Sequence, residues 1–312
     1  MGLRKLGERK IIKLLTSRLR RSLGMISDFD DDAASFRFSG KMVATTDMGS
    51  MGTHFTNADP AKIGRKIITS NATDLLSKGA IPKYALVSMG FPESTKMEWL
   101  EKMYAAMDTQ LSQYDAFLIG GDTNKASEFA YSVAMLGEAK GSILKRSSAE
   151  EGDCLVLTGN IGSAAAGYLI RKKGFKATAA EKREFFQAQD DPKINAALCK
   201  KIWPQAHAGI DVSDGLAFEL NEIARLSGKK IVVEWEKIPR SPMLEKFCKR
   251  NGLNEEKIAL NYGEDYQIVF TTPNAEHGII IGRVEKGKGV FLKRKGKLKK
   301  IQSKGYEHFK SN

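Results

Sequence analysis

The chain has 312 residues, of which 42% are hydrophobic and 28% are charged, and its formal net charge at pH 7 is +13. This length allows two domains with cores of their own, and no apolar run of about 18 residues predicts a transmembrane helix. Three widely spaced cysteines without a Cys-x-x-Cys pair argue against a disulfide or zinc framework. The N-terminal segment is basic and lacks the apolar core of a signal peptide. Together with the cysteine pattern, it predicts a cytoplasmic protein.

The positive charge is concentrated in two stretches, residues 4–21 and 286–304. It is compatible with a nucleic-acid partner, with small anionic substrates, or with a solvated surface. Aromatic residues do not interleave with these basic stretches, as a stacking platform for bases would require. We therefore expect neither a nucleic-acid nor a membrane partner.

In the first half of the chain, helices alternate with short apolar strands. Hydrophobic spacing predicts a surface helix over 7–23, a helix from the Asp59-Pro60 cap to 77, and another over 97–113. Strands are expected at 42–46, 84–90, 116–119 and 131–137. This order indicates an α/β or α+β domain over residues 1–140.

A second α/β domain is expected over residues 141–312. A strand at 154–158 leads into a helix rich in small residues, and residues 171–195 are interpreted as charged and irregular. Further strands are predicted at 208–212, 231–235 and 267–271, with helices at 243–250 and 255–260. The lysine-rich tail resembles a hairpin with a solvated basic face.

Aspartates recur at the ends of apolar runs or on one helix face. Each has an ordinary interpretation as a turn, a cap or a solvated charge, and the Asn71-x-x-Asp74 pair is equally compatible with a buried hydrogen-bonded pair. The recurring aspartates are Asp31, Asp32, Asp47, Asp74, Asp122, Asp211 and Asp214. If they converge, oxygen ligands without cysteine favour Mg²⁺ or Mn²⁺ over zinc.

Several such ions in one cleft suit a polyphosphate substrate, because they bridge phosphate oxygens and offset negative charge. Lys145-Arg146 can supply a cation for nucleotide phosphates. The sequence has no Walker motif, no protein-kinase motifs and no local Ser-His-Asp or Cys-His arrangement.

The order and spacing of these motifs resemble the thiamine-monophosphate kinases, within the aminoimidazole-ribonucleotide-synthase-like ATP-binding superfamily. The motifs that carry the resemblance are Asp31-Asp32-Ala33-Ala34, Thr45-Thr46-Asp47, Gly52-Thr53-His54-Phe55, Asn71-x-x-Asp74, Gly120-Gly121-Asp122-Thr123, Asp211-x-Ser213-Asp214-Gly215-Leu216 and Gly263-Glu264-Asp265-Tyr266. The resemblance implies ATP-dependent phosphorylation of thiamine monophosphate to the diphosphate. It also implies two α/β domains, ATP, several Mg²⁺ ions, and a homodimer whose N-terminal sheets form a barrel-like core.

The resemblance also implies roles for individual residues. The metal ligands would be Asp32, Thr45, Thr46, Asp47, Asp74, Asp122, Asp211 and Asp214, some through backbone oxygens or water. The nucleotide contacts would be Tyr104, Gly121, Asp122, Arg146 and Ser213. The contacts to thiamine monophosphate would be His54, Glu264 and Tyr306. No catalytic group is implied beyond the metal-binding and charge-neutralising residues.

Two alternatives stay open at this point. One is another member of the same superfamily that acts on a different small phosphorylated or carbamoyl substrate. The other is a basic, nucleic-acid-associated protein that keeps the fold without catalysis. The sequence departs from the family pattern at Asp30 and over Asp190–Lys193, where the geometry of the first loop and of some acceptor contacts can differ.

Overall fold

The computed structural model describes residues 3, 6, 8–27, 29, 33–56 and 59–306. Asp30, Asp31 and Asp32, on which part of the metal prediction falls, lie outside these ranges. The chain divides into two compact units, residues 1–75 with 80–140 and residues 76–79 with 141–312. Among the described residues, no helix is both long enough and apolar enough to cross a bilayer.

The first part of the chain forms a four-stranded sheet and the helices that cover it. Its elements are α1 (Glu8–Thr16), β1 (Lys41–Ser50), α2 (Met51–His54), α3 (Pro60–Ser77), β2 (Ala80–Phe91), α4 (Met97–Ser112), β3 (Phe117–Lys125) and β4 (Ala130–Ala139). The strand order is β1-β4-β2-β3. Only the β2–β3 pair in this sheet is parallel. Because β1 and β3 form the two edges, the residues they carry lie at the margins of the sheet.

The helices cover one face of this sheet. The predicted start of α3 is confirmed, since Pro60 opens the helix and Asp59 Oδ1 accepts a hydrogen bond from the Ala61 N–H at 2.9 Å. Helices α3 and α4 approach closely at Gly64, where a Cβ would lie 2.4 Å from the Met103 carbonyl oxygen. Burial alternates along β4, so one face of the sheet is buried and the other is half-buried.

Two strands of the first unit, β1 and β3, continue several residues beyond the ends that the sequence predicts. β1 continues through Asp47 to Ser50, paired with β4, and β3 continues through Asp122 to Lys125, paired with β2. The expectation that these aspartates follow the ends of their strands is therefore wrong. Gly121 explains why β3 continues, because a Cβ there would lie 1.9 Å from the Val87 carbonyl oxygen. The glycine allows close strand pairing and does not mark a loop.

The second part of the chain forms a seven-stranded mixed sheet with helices. Its elements are β5 (Cys154–Leu157), α5 (Ser163–Lys173), α6 (Ala179–Asp190), α7 (Ala196–Ile202), β6 (Ala208–Asp211), α8 (Leu216–Ser227), β7 (Lys230–Glu234), α9 (Pro242–Arg250), α10 (Glu255–Asn261), β8 (Ile268–Thr272), β9 (Ile279–Glu285), β10 (Gly289–Arg294) and β11 (Lys297–Ile301). The strand order is β11-β10-β7-β9-β5-β8-β6. The predicted basic hairpin is confirmed as the antiparallel pair β10–β11.

Helix α6 corrects the expectation of an irregular segment at 171–195. It begins with a capping box in which the Thr178 side chain accepts from the Glu181 N–H, and Glu181 accepts from the Thr178 N–H. The small residues of α5 allow close packing against α6, because a Cβ at Gly167 would lie 2.5 Å from the Phe185 carbonyl oxygen. Phe185 is fully buried in the core of this unit.

Candidate functional site

In the first unit, β1 presents its predicted ligands to both faces of the sheet. Thr45 and Asp47 alternate with Thr46, so they lie on the face opposite to it. Thr45 Oγ1 donates a hydrogen bond of 2.7 Å to Asp74 Oδ2 on α3. The structure therefore brings Thr45 and Asp74 together on the helix-covered face, and Asp47 lies on that face two residues along the strand.

Asp122 lies on the other face, in β3. It pairs in register with Ser88, which pairs in turn with Ser132 on β4. Thr46 Oγ1 lies 3.5 Å from Ser132 Oγ, on the same face. Asp122 is exposed, and its carboxylate accepts hydrogen bonds from the Thr123 N–H at 2.9 Å and from Asn124 Nδ2 at 2.7 Å. These bonds hold the carboxylate in a fixed orientation while it stays accessible to solvent.

Tyr104 on α4 is buried beneath the Gly121–Thr123 stretch. Burial raises the pKa of the Tyr104 hydroxyl to about 12, against a smaller opposing effect of its hydrogen bond with Thr123. The hydroxyl is thus a neutral hydrogen-bonding group next to the predicted nucleotide contacts Gly121 and Asp122. Core packing accounts for the ring, and the bond to Thr123 fixes the hydroxyl.

His54 at the end of α2 is oriented by the backbone that precedes it. The Ser50 N–H donates to His54 Nδ1 at 3.2 Å, and Lys66 Nζ donates to the His54 carbonyl at 3.4 Å. Because Nδ1 accepts a hydrogen bond, the neutral ring carries its proton on Nε2. His54 is therefore arranged to donate from Nε2, not to act as a proton acceptor there.

The donor set of the first unit consists of carboxylate and hydroxyl oxygens, which are hard ligands of the kind that Mg²⁺ binds. Within the ranges that the structure describes, no group of three or more histidine, cysteine, aspartate or glutamate side chains is close enough together to hold a metal ion. The chemistry of the donors fits Mg²⁺, and the full ligand set stays a prediction.

In the second unit, the turn between β6 and α8 gathers four of the predicted site residues. The Glu264 N–H donates to the Ser213 carbonyl at 2.8 Å, and the Tyr306 N–H donates to the Asp214 carbonyl at 3.0 Å. Asp211 lies just before the turn, buried at the end of β6. Neither aspartate caps α8, because Gly215 occupies the N-cap position and no side-chain bond is made there. An N-cap role therefore explains neither of them.

Steric constraints hold this turn against the loop at 261–266. A Cβ at Gly263 would lie 1.9 Å from the Ser213 carbonyl oxygen. Glu264 and Tyr266 adopt positive φ angles of 66° and 48°. Non-glycine residues in this conformation store strain, which persists where the surrounding structure imposes it and is frequent at functional sites. The main chain that carries Ser213 and Glu264 is therefore tightly constrained.

Glu219 lies buried in the first turns of α8, directly beneath this turn. Its Oε1 accepts a hydrogen bond of 3.3 Å from the Asp214 N–H. Burial, and to a smaller extent the charge of Asp214, raise the pKa of Glu219 to about 8, while the charge of Arg146 opposes the rise. Arg146 lies beside the same helix, because Ser227 Oγ at the end of α8 donates a hydrogen bond of 3.0 Å to its carbonyl oxygen.

Comparison with known proteins identifies the family. Residues 30–139 match AIR synthase related protein, N-terminal domain, and residues 150–295 match AIR synthase related protein, C-terminal domain. The thiamine-monophosphate kinase of Aquifex aeolicus (strain VF5) is 32% identical to this chain, with 99% of this chain and 100% of that protein covered. The chain belongs to the thiamine-monophosphate kinase family.

Two further comparisons extend over nearly the whole chain. The thiamine-monophosphate kinase of Pyrococcus horikoshii is 32% identical and covers 91% of this chain and 94% of its own length. The solved structure of AaThiL complexed with AMPPCP and TMP is 30% identical, covers 99% of both chains and superposes with a TM-score of 0.79. The two-domain fold expected from the sequence resemblance to this family is therefore confirmed.

Sequence reasoning missed two buried carboxylates near the family's motifs. Glu219 lies five residues after Asp214, and its burial cannot be distinguished in the sequence from an ordinary first-turn acid. Asp265 lies inside the Gly263–Tyr266 motif but received no role. Its Oδ2 accepts from the Gly162 N–H at 2.9 Å, at the start of α5, and burial raises its pKa to about 7.

Proposed function

We propose that this protein uses ATP to phosphorylate thiamine monophosphate, forming thiamine diphosphate. The observation that carries the proposal is sequence identity above 30% to thiamine-monophosphate kinases over nearly the entire chain. The solved structure of a relative in complex with AMPPCP and TMP supports the same pair of ligands. The open alternatives lack an observation of this kind.

In the first unit, we propose that Gly121, Asp122 and the hydroxyl of Tyr104 contact the nucleotide. Thr45, Thr46, Asp47, Asp74 and Asp122 would hold Mg²⁺, together with Asp32. The side chains of Thr46 and Asp122 lie on the face opposite to Thr45, so some of these contacts would use main-chain oxygens or water. Bound Mg²⁺ would offset the charge of the triphosphate.

In the second unit, we propose that Arg146 and Ser213 contact ATP and that Asp211 and Asp214 bind metal. Glu264 and Tyr306 would contact thiamine monophosphate, with His54 of the first unit. The backbone bonds that tie Glu264 and Tyr306 to the Ser213–Asp214 turn support a shared role. An acid and an aromatic ring suit a cationic acceptor.

The proposed transfer is direct and needs no general base. The attacking atom is a phosphate oxygen that is already anionic near neutral pH, unlike a hydroxyl. The protein must instead position two anions and neutralise their charge, which Arg146 and the carboxylate-bound cation suit. ATP–ADP exchange in the absence of acceptor would reveal a phosphoenzyme and contradict direct transfer.

We further propose a cytoplasmic homodimer in which the first-unit sheets pair. Met42 and Met48 on the edge strand β1 are 48% and 74% exposed, and their side chains lie on the half-buried face of the sheet. Both side chains are apolar and exposed on the same face, and they support the proposal of a contact there. Sedimentation near twice 34.4 kDa would support the dimer, whereas a fully active monomer at micromolar concentration would contradict it.

The activity is tested by following thiamine diphosphate formation from ATP and thiamine monophosphate with the purified full-length chain. We expect ATP consumption to depend on the acceptor and to stop in a chelator. Turnover of a formylglycinamidine ribonucleotide in place of thiamine monophosphate would overturn the proposal in favour of another superfamily activity.

A further inference from the structure

Helix α3 carries a buried side-chain oxygen that has no hydrogen-bond partner among the described residues. Asn71 is fully buried, and its Oδ1 accepts no hydrogen bond within the described residues. Leaving such an atom unsatisfied destabilises the folded protein. A buried oxygen of this kind indicates a partner beyond the described residues, such as water or an ion.

The orientation of the Asn71 amide follows from its other end. Asn71 Nδ2 donates a hydrogen bond of 3.0 Å to the Ile67 carbonyl, one turn earlier in α3. Rotating the amide by half a turn would place two oxygens against each other. The carbonyl oxygen of the side chain is therefore the atom that is left to accept.

Asn71 lies next to the predicted ligands of the first unit. It shares a face of α3 with Asp74, three residues later, and Asp74 accepts from Thr45 on β1. Lys66, near the start of α3, contacts the His54 carbonyl just beyond β1. Helix α3 therefore runs antiparallel to β1. Along the strand direction, Asn71 lies between Thr45 and the end of β1, which is also where Asp47 lies.

We propose that Asn71 Oδ1 accepts a hydrogen bond from a water molecule carried by the cation at Asp74, and so positions the ion. The inference rests on the proposed function, which supplies Mg²⁺. Mg²⁺ retains several waters when proteins bind it, and those waters need acceptors. A neutral amide offers an acceptor without adding a further negative charge to the site, and such outer partners strengthen metal binding.

The test measures Mn²⁺ affinity of the full-length protein with AMPPCP and no acceptor, so that no turnover is needed. Asn71→Leu removes the acceptor and the donor, whereas Asn71→Asp keeps an acceptor and loses the donor to Ile67. We expect Asn71→Leu to weaken Mn²⁺ binding about tenfold or more, and Asn71→Asp to stay close to the wild type. If Asn71→Leu does not fold in chelator, Asn71→Ala takes its place, since it adds no bulk.

Thr69→Val is the matched control. Thr69 Oγ1 is another buried oxygen of α3 without a partner in the described residues. It lies two residues before Asn71, so its side chain is on a different face of the helix. We expect Thr69→Val to bind Mn²⁺ like the wild type. Unchanged affinity in Asn71→Leu, equal loss in Thr69→Val, or equal loss in Asn71→Asp would each overturn the inference.

The outcome can be separated from the proposed activity. If the wild type fails to form thiamine diphosphate but Asn71→Leu still weakens Mn²⁺ binding, only the proposed activity fails. If the wild type is active and Asn71→Leu binds Mn²⁺ normally, only the role of Asn71 fails.

Discussion

The two units present their candidate residues in different ways. In the first unit, Asp47 and Asp122 belong to regular edge strands, and Asp122 is open to solvent. In the second, Ser213 and Glu264 belong to loops held by a close glycine contact and positive φ angles. A regular strand can expose a carboxylate at little cost, whereas the turn keeps its conformation only because the surrounding residues pack against it. Substitutions should therefore separate activity from stability according to the unit.

The largest effect is expected from Asp122→Asn. Loss of a charged ligand should lower kcat/KM about 100-fold or more, because the cation and nucleotide lose a shared contact. The melting temperature should stay near that of the wild type, since Asp122 is exposed. Asp115→Asn is the control, because Asp115 is an exposed acid just before the same strand, and it should keep full activity. Equal loss in both variants would contradict the assignment.

Gly263→Ala tests whether a substitution in the second unit lowers stability. Its Cβ would overlap the Ser213 carbonyl oxygen, so the turn must move, and the free energy of unfolding should fall by about 3 kcal/mol. Thermal unfolding of the full chain measures this. Gly141→Ala is the matched variant, because no atom lies within 4 Å of its added Cβ. A Gly263→Ala protein as stable as Gly141→Ala would refute the locked turn.

His54→Ala returns to the first unit and sharpens the assignment of roles. Because His54 Nδ1 accepts from Ser50, the ring is arranged to donate from Nε2 to an anionic ligand. We expect KM for thiamine monophosphate to rise about tenfold, with kcat little changed. Steady-state kinetics decide the matter. A fall in kcat of about 1000-fold at constant KM would instead identify His54 as a general base.

A further prediction concerns the pH dependence of stability in the second unit. Burial raises the pKa of Asp265 from 3.8 to about 7, so the folded protein keeps a proton that the unfolded chain releases. The resulting stability is fully present below pH 3.8 and is lost as pH rises towards 7. Asp265→Asn should therefore gain stability relative to the wild type between pH 4 and pH 7. If the difference in melting temperature between Asp265→Asn and the wild type stays constant across this range, the buried carboxyl is not protonated in the folded protein.

Local signals were sufficient for much of the fold. The Asp59-Pro60 start of α3 and the apolar spacing of α4 depend on neighbours in sequence, and both are observed. The ends of β1 and β3 were misplaced because glycines and hydroxyls looked like loop residues. Strand pairing decides those ends, and pairing involves residues far apart in the chain. The charged composition of residues 171–195 hides helix α6, although Thr178 and Glu181 form a capping box at its start.

The candidate site was predictable as a set of motifs but not as a geometry. Asp74 and Thr45 were both predicted, yet their hydrogen bond depends on how α3 packs on β1. Glu219 and the unpaired oxygen of Asn71 become noticeable only through burial, which no single-sequence pattern reports. Asp32 lies outside the described residues, and its role stays a prediction.

The central claim is that the acceptor is the phosphate of thiamine monophosphate. The most direct measurement compares kcat/KM for thiamine monophosphate and for free thiamine, with ATP and Mg²⁺ held constant and transfer of the γ-phosphate followed by radiolabel. We expect labelled thiamine diphosphate from the first acceptor and no labelled product from the second. Equal turnover of free thiamine would contradict phosphoryl transfer to a phosphate oxygen, and with it the proposed function.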